Sequence, residues 1–364
     1  MSPPGSPSSG PAWVCRLMSP SSSERPRLLE IDSLRGLAAL SVVGYHYTTR
    51  VGEVFGANSA PPVSLAFGNY GVQLFFLISG FVIFMTLERC PSAGDFVKSR
   101  FARLFPAYWA SILVSAVFVY SIGADVQKVP LRDVIVDLTM IQEFLGARHL
   151  DGVYWTLQVE LFFYVQMLFW YMTGHLRSIG WIILGWLLLG VLVVLIEQGG
   201  ADTSSRLFQL AIVAHLPFFG IGILMYRIHA RVGDLRWNAL LIALCVLQVA
   251  FTHSDVYIAV AVVCSAIFAL SIGGRLRWLT AKPFVFVGGI SYSLYLLHQA
   301  IGFSVIHWLE EHGMRPTIAA LFAAGTSILL ATAMTYGVER PSLRWLRARW
   351  VRKDSPPAAV AAPD

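Results

Sequence analysis

The chain has 364 residues, 56% hydrophobic and 13% charged, with a net charge of +6 and a mean hydropathy of +0.64; a soluble domain carries roughly 25% charged residues, so an ordinary soluble fold is excluded. The positive charge does not point to nucleic acid, because no polar segment carries a Lys/Arg stripe with interleaved aromatics. The 11 Trp, 13 Tyr and 23 Phe suit a membrane–water interface instead.

Residues 1–27 are rich in Ser and Pro and lack an apolar core, which predicts a disordered extension rather than a signal peptide or lipoprotein leader, with Met18 as a candidate start. Cys15, Cys90, Cys245 and Cys264 show no CxxC or metal-ligand spacing and read as inert, so no metal site is expected. A helix that crosses a membrane needs about 20 mostly apolar residues. Such runs fall near 34–50, 69–88, 104–122, 153–173, 178–197, 207–227, 237–253, 256–273, 284–308 and 316–337. They predict an all-α, polytopic transmembrane bundle of about ten spans. The seventh and eighth are parted only by Thr252-His253-Ser254-Asp255, which reads as a tight turn.

An even number of spans puts both termini on one side, and Lys and Arg accumulate in cytoplasmic loops. With both termini cytoplasmic, only Arg50, Lys128, Arg132, Arg148, Arg206 and Arg315 of the 27 Lys and Arg lie outside. The longest outside loop, 123–152, spaces Asp125, Asp133, Asp137, Glu143 and Asp151 among apolar residues, and an amphipathic surface helix is expected there. Residues 28–345 form one transmembrane domain on this reading, and 346–364 a basic, then Pro/Ala-rich cytoplasmic tail.

Ionisable groups inside a span cost on the order of 2.5–3.5 kcal/mol, so each is a candidate functional residue. Arg35 and His46 stand eleven residues apart, which is three helical turns plus about 20° and places both on one face roughly 16 Å apart. Singly, Arg35 also reads as a cytoplasmic anchor and His46 as a hydrogen-bonded interface residue. In Gly71–Ile83, Ser79 and Gly80 read as close helix packing. Arg100 and Arg103 share a face at i and i+3, a pair suited to phosphate or to anionic lipid. Glu160, in the Trp155–Tyr164 segment, lies roughly 10 Å from the outer end of its span and His46 about 6 Å from its own. At similar depth the carboxylate could fix the imidazole tautomer for general-base catalysis. Ser291, Tyr295 and His298 form a polar stripe that serves either a helix–helix contact or a substrate groove. Glu339-Arg340-Pro341 caps or docks the last span.

In this order and spacing, the chain resembles the acyltransferase 3 family of ten-span bacterial membrane O-acyltransferases over roughly residues 28–345. The resemblance rests on the Arg35/His46 pairing and Arg100-x-x-Arg103, with Ser79-Gly80-Phe81, Trp155–Tyr164 and the Tyr/His segment following in order. It implies a multi-pass inner-membrane enzyme with no bound cofactor, which takes acyl-CoA, usually acetyl-CoA, as cytoplasmic donor substrate. The implied acceptor is a hydroxyl of a surface polysaccharide, lipid-linked sugar or macrolide, and His46, Arg35, Arg100 and Arg103 are functionally needed. Gln73 stands where many members have an acidic residue, and Thr156 replaces the usual Ser.

On that reading Arg35, Arg100 and Arg103 hold the CoA phosphates, a thin arm runs toward His46, and His46 acts as general base with Glu160. An acyl-histidine relay is the other route. Ser291, Tyr295 and His298 line the substrate path. A transporter or flippase for a glycolipid or small solute is the rival class; against it, the sequence shows no inverted repeat and no Gly/Pro-broken pair of helices. Acceptor, acyl chain and oligomeric state stay open.

Overall fold

The computed structural model describes residues 29–200, 206–253 and 256–353. The expected 1–27 extension, Ser254 and Asp255 of the tight turn, and the tail beyond residue 353 lie outside the described residues. Among the described residues the chain is helical and contains no strand. Each predicted span is helical: α1 (Leu29–Tyr45), α2 (Gly71–Leu87), α3 (Ala93–Ile122), then, after a short α4 (Leu131–Asp137), α5 (Trp155–Met172) and α6 (Ile179–Gln198). The 207–227 span is broken into α7 (Arg206–Ala211) and α8 (Leu216–His229); α9 (Leu235–Thr252), α10 (Val256–Ile272), α11 (Lys282–Glu311), α12 (Pro316–Met334) and α13 (Arg340–Lys353) follow.

Among the described residues, seven helical stretches are long and apolar enough to cross a membrane, judged by length and composition, and the chain is a multi-pass membrane protein. Helices α1 and α5 fall short of that measure. Glu30, Asp32 and Arg35 interrupt one apolar run and Gln158, Glu160 and Gln166 the other, while α10 is simply shorter. Two of the less apolar helices are therefore the ones that carry polar groups into the bundle.

The 30-residue α11 runs through the centre and packs on α1, α3 and α12, while α2 packs on α8 and α1. Missing side chains let α1 and α11 touch backbone to backbone: a Cβ on Gly36 would lie 2.5 Å from the Gly288 nitrogen. Gly80 packs as expected, since a Cβ there would lie 2.2 Å from the Phe219 carbonyl. Among the described residues, two helices continue through wider π-helical turns, a form frequent at functional sites. One is His46–Arg50 at the end of α1, and the other, Thr335–Glu339, joins α12 to α13.

The 123–152 segment departs from the expected amphipathic surface helix. Its helix α4 spans only seven residues and is inverted, with Asp133 and Asp137 buried and Leu131, Ile135 and the following Leu138 exposed. The acids turn inward because they bind loop backbone: Asp133 accepts from the Arg148 N–H and Asp137 from the Leu150 N–H. Tyr108 and Trp109 of α3 donate to the Asp137 and Leu138 carbonyls and tie the segment to the bundle.

Candidate active site

His46 opens the first π-helical turn and is buried against α11, where its partner is His298. The His298 Nε2 and His46 Nδ1 atoms are 3.2 Å apart, and the rings meet edge to face. Hydrogen-bond accounting assigns both tautomers. His298 Nδ1 faces the Tyr295 carbonyl at 2.9 Å and the Leu294 carbonyl at 3.3 Å, so it carries the proton and Nε2 is an acceptor. His46 Nδ1 faces the Val42 carbonyl at 2.9 Å and that Nε2, two acceptors, so it too is protonated. The His46 Nε2 lone pair is left free, the state a general base requires.

The turn of α11 that carries His298 is held from three sides. The Tyr47 hydroxyl donates to the His298 carbonyl and bonds Ser327 Oγ of α12. Asp151 accepts from the Ala300 N–H at 2.8 Å with one oxygen and from the Val153 N–H with the other. Gln127 donates to the Ala300 carbonyl. The loop that ends at Asp151 therefore braces the histidine pair.

The expected contact between His46 and Glu160 does not form. Glu160 instead accepts from Ser79 Oγ and from the Tyr164 hydroxyl, both at 2.7 Å, and Ser79 has this polar role beyond packing. Glu160 and Ser79 line a narrow chamber of about 40 Å³ together with Arg35, Thr156, Ser291 and Tyr295. The predicted stripe on α11 separates by function. Ser291 bonds its own helix at the Gly288 carbonyl, Tyr295 shares a hydrogen bond with Thr156 Oγ1 at 2.9 Å, and His298 turns to His46. Tyr295 links chamber and histidines, its ring 5.6 Å from that of His298.

Beyond Arg35 the chamber is followed by a much larger vestibule of about 1210 Å³, walled by Arg35, Arg89, Arg100, Arg103, Arg340 and Arg344. Arg35 belongs to both spaces and forms the neck between them. Asp32 and Glu339 are the carboxylates on this wall, and Glu339 is engaged: it pairs with Arg103 at 3.0 Å and accepts from Ser293 Oγ at 2.9 Å. The guanidinium Nε of Arg100 is buried without a hydrogen-bond partner. A site with this much guanidinium and so little carboxylate is suited to phosphate.

Sequence reasoning missed Arg89, Arg340 and Arg344 as site residues, because a basic helix end is equally explained by membrane orientation. The i and i+4 spacing of Arg340 and Arg344 on one helix face was the available signal. Among the described residues, no group of three or more His, Cys, Asp or Glu is placed to hold a metal ion.

Residues 28–336 match the acyltransferase domain family, and the chain belongs to that family. It is similar to the acyltransferase MdmB of Streptomyces mycarofaciens, 26% identical over 390 residues, a match that covers 93% of this chain and 98% of that protein. Nodulation protein 10 of Rhizobium leguminosarum bv. viciae is 30% identical over 154 residues, 37% of this chain and 42% of the other. Protein 2 in the picA locus of Rhizobium radiobacter is 33% identical over 103 residues, 27% of this chain and 49% of its own length. No solved structure matches the chain.

Proposed function

We propose that this membrane acyltransferase crosses a bacterial inner membrane about ten times with both termini cytoplasmic, and moves an acyl group, acetyl by preference, from acyl-CoA to a hydroxyl of a carbohydrate-containing acceptor. The observation that carries the reading is one continuous line of polar groups: arginine vestibule, Arg35 neck, Tyr295 and the His298–His46 pair. Arg35, Arg100 and Arg103, joined by Arg89, Arg340 and Arg344, take the CoA phosphates at the vestibule. The pantetheine arm passes Arg35 toward His46, a distance of roughly 16 Å along α1.

His46 Nε2 takes the proton of the acceptor hydroxyl as the hydroxyl oxygen attacks the thioester carbonyl. As the carbon–sulfur bond breaks, the imidazolium returns that proton to the departing sulfur, so the ester and the free thiol leave and His46 ends neutral. His298 keeps the Nδ1 proton of His46 engaged throughout, the part first expected of Glu160. Glu160 then serves the passage, where it lines the chamber with Arg35.

Membranes bearing the wild-type chain or His46→Ala, incubated with radiolabelled acetyl-CoA, test this reading. Label is expected in the glycan, lipid or macrolide fraction of the wild type alone. Transfer that survives the substitution would overturn the general-base role, and solute movement without acylation would favour a transporter.

A further inference from the structure

Glu339 is buried, closes the Thr335–Glu339 π-helical turn and lines the vestibule that the guanidiniums surround. A carboxylate there repels the phosphate that the arginines attract, so its charge needs another purpose. Both of its oxygens are engaged. Oε1 lies 3.0 Å from Arg103 Nη1, and Oε2 accepts from Ser293 Oγ of α11 at 2.9 Å. The Thr335 hydroxyl lies 3.0 Å from Ser293 Oγ and 3.4 Å from the same Oε2. Ser293 and Thr335 are themselves buried. The carboxylate is therefore a fixed point where α3, α11 and the turn between α12 and α13 meet.

Arg103 is the exposed half of the pair: its side chain is 33% exposed, against 5% for that of Glu339. Its guanidinium stands 5.8 Å from the centre of the Tyr292 ring, and Tyr292 is held in turn by donating to the Leu104 carbonyl at 2.9 Å. Arg35, Arg100, Arg340 and Arg344 share the same space. Like charges drive long side chains apart, so a cation in this company stays in place only if something holds it. A guanidinium carries five N–H donors in a rigid fork. The edge that meets Glu339 leaves another edge to present to the vestibule.

We infer that Glu339 is a positioning residue for the donor: it holds the Arg103 fork so that the outer edge faces a phosphate of CoA. The inference rests on the donor reading of the vestibule. Glu339 touches no donor atom and acts through Arg103, as a carboxylate that is itself hydrogen-bonded orients the group that meets the ligand. Its charge is spent on Arg103 and the two hydroxyls, which reconciles a carboxylate with a site for anions.

Binding of tritiated CoA to the full chain in lipid nanodiscs, without acceptor or turnover, tests this as a double-mutant cycle. Glu339→Ala should weaken CoA about tenfold, and Glu339→Gln, which keeps an acceptor for Arg103, only about threefold. Arg103→Ala should weaken it about tenfold or more, and adding Glu339→Ala to it should cost nothing further. If Arg103→Ala folds poorly with Glu339 left buried, Arg103→Gln and Glu339→Gln complete the cycle with the hydrogen bonds kept. Transfer from S-acetylpantetheine, which has no phosphate, should be as fast in Glu339→Ala as in the wild type, whereas a merely structural defect would slow both donors alike. Losses that multiply in the double variant, or an equal loss with both donors, would overturn the assignment. CoA that binds wild type and Glu339→Ala equally would overturn this inference alone; CoA that fails to bind the wild type would overturn the donor reading and the inference with it.

Discussion

His46 is useful as a base only while its Nε2 lone pair is free, and that condition depends on what faces Nδ1. His46→Ala removes the base itself, and transfer should fall roughly 10²–10⁴-fold in a steady-state assay with the donor KM little changed. His298 acts through His46, so its variants should separate by chemistry rather than by size. A hydrogen bond to a developing imidazolium is worth about 1.5–3 kcal/mol, roughly ten- to 150-fold in rate. His298→Leu should lose that much in kcat, and His298→Gln, which keeps an acceptor near the former Nε2, should recover most of it. Equal loss in both would reduce His298 to packing. Charges within apolar runs made Arg35, His46, Arg100, Arg103 and Glu160 visible in the sequence. Depth along a span is only one coordinate, however, and the rotation of α5 about its axis directs Glu160 to Ser79 and Tyr164 instead of His46.

Helix α1 can hold His46 against His298 only because α1 and α11 approach through Gly36 and Gly288. Gly36→Ala puts its Cβ 2.5 Å from a backbone nitrogen that no rotamer change can move aside. Overpacking of this kind costs about 1–3 kcal/mol, so the variant should melt earlier in detergent and lose transfer disproportionately to the stability lost. Helix α13 runs from the end of the expected domain into the segment that sequence reasoning treated as a tail from residue 346. Its described part continues from α12 through the Thr335–Glu339 turn, which places Glu339 on Arg103 and brings Arg340 and Arg344 to the vestibule. Arg344→Ala should raise the donor KM roughly tenfold and leave kcat nearly unchanged, the signature of lost ground-state binding. A fall in kcat at unchanged KM would remove Arg344 from donor binding. The helices themselves were legible because apolar runs of spanning length are hard to mistake. The continuation into α13 was not, because Arg-rich sequence after a span is equally compatible with a helix or an extended tail.

At the scale of the whole molecule, the 123–152 segment is bolted to the central helix. Asp151 reaches the Ala300 N–H of α11, two residues beyond His298, and Asp137 holds the Leu150 N–H just before it. Burial pushes the carboxyls of Asp137 and Asp151 up from 3.8 to about 7. The sign follows from proton binding: between about pH 4 and 7 the folded chain keeps protons that the unfolded chain has released, so these groups stabilise the fold less as pH rises. Asp137 should dominate, since its second oxygen is buried without a partner and welcomes a proton, whereas both Asp151 oxygens accept backbone N–H bonds. Alternating acids in the sequence suggested a polar outer face, but unpaired loop N–H groups draw the same acids inward and leave Leu131 and Ile135 exposed. Hydrogen exchange over residues 131–151 should therefore be slower at pH 5 than at pH 8, after correction for the intrinsic rate. Asp137→Asn, neutral at every pH, should flatten most of that difference. Protection that instead rises toward pH 8 would mean that the buried acids are ionised throughout, and that the segment braces the histidine pair through charged rather than neutral contacts.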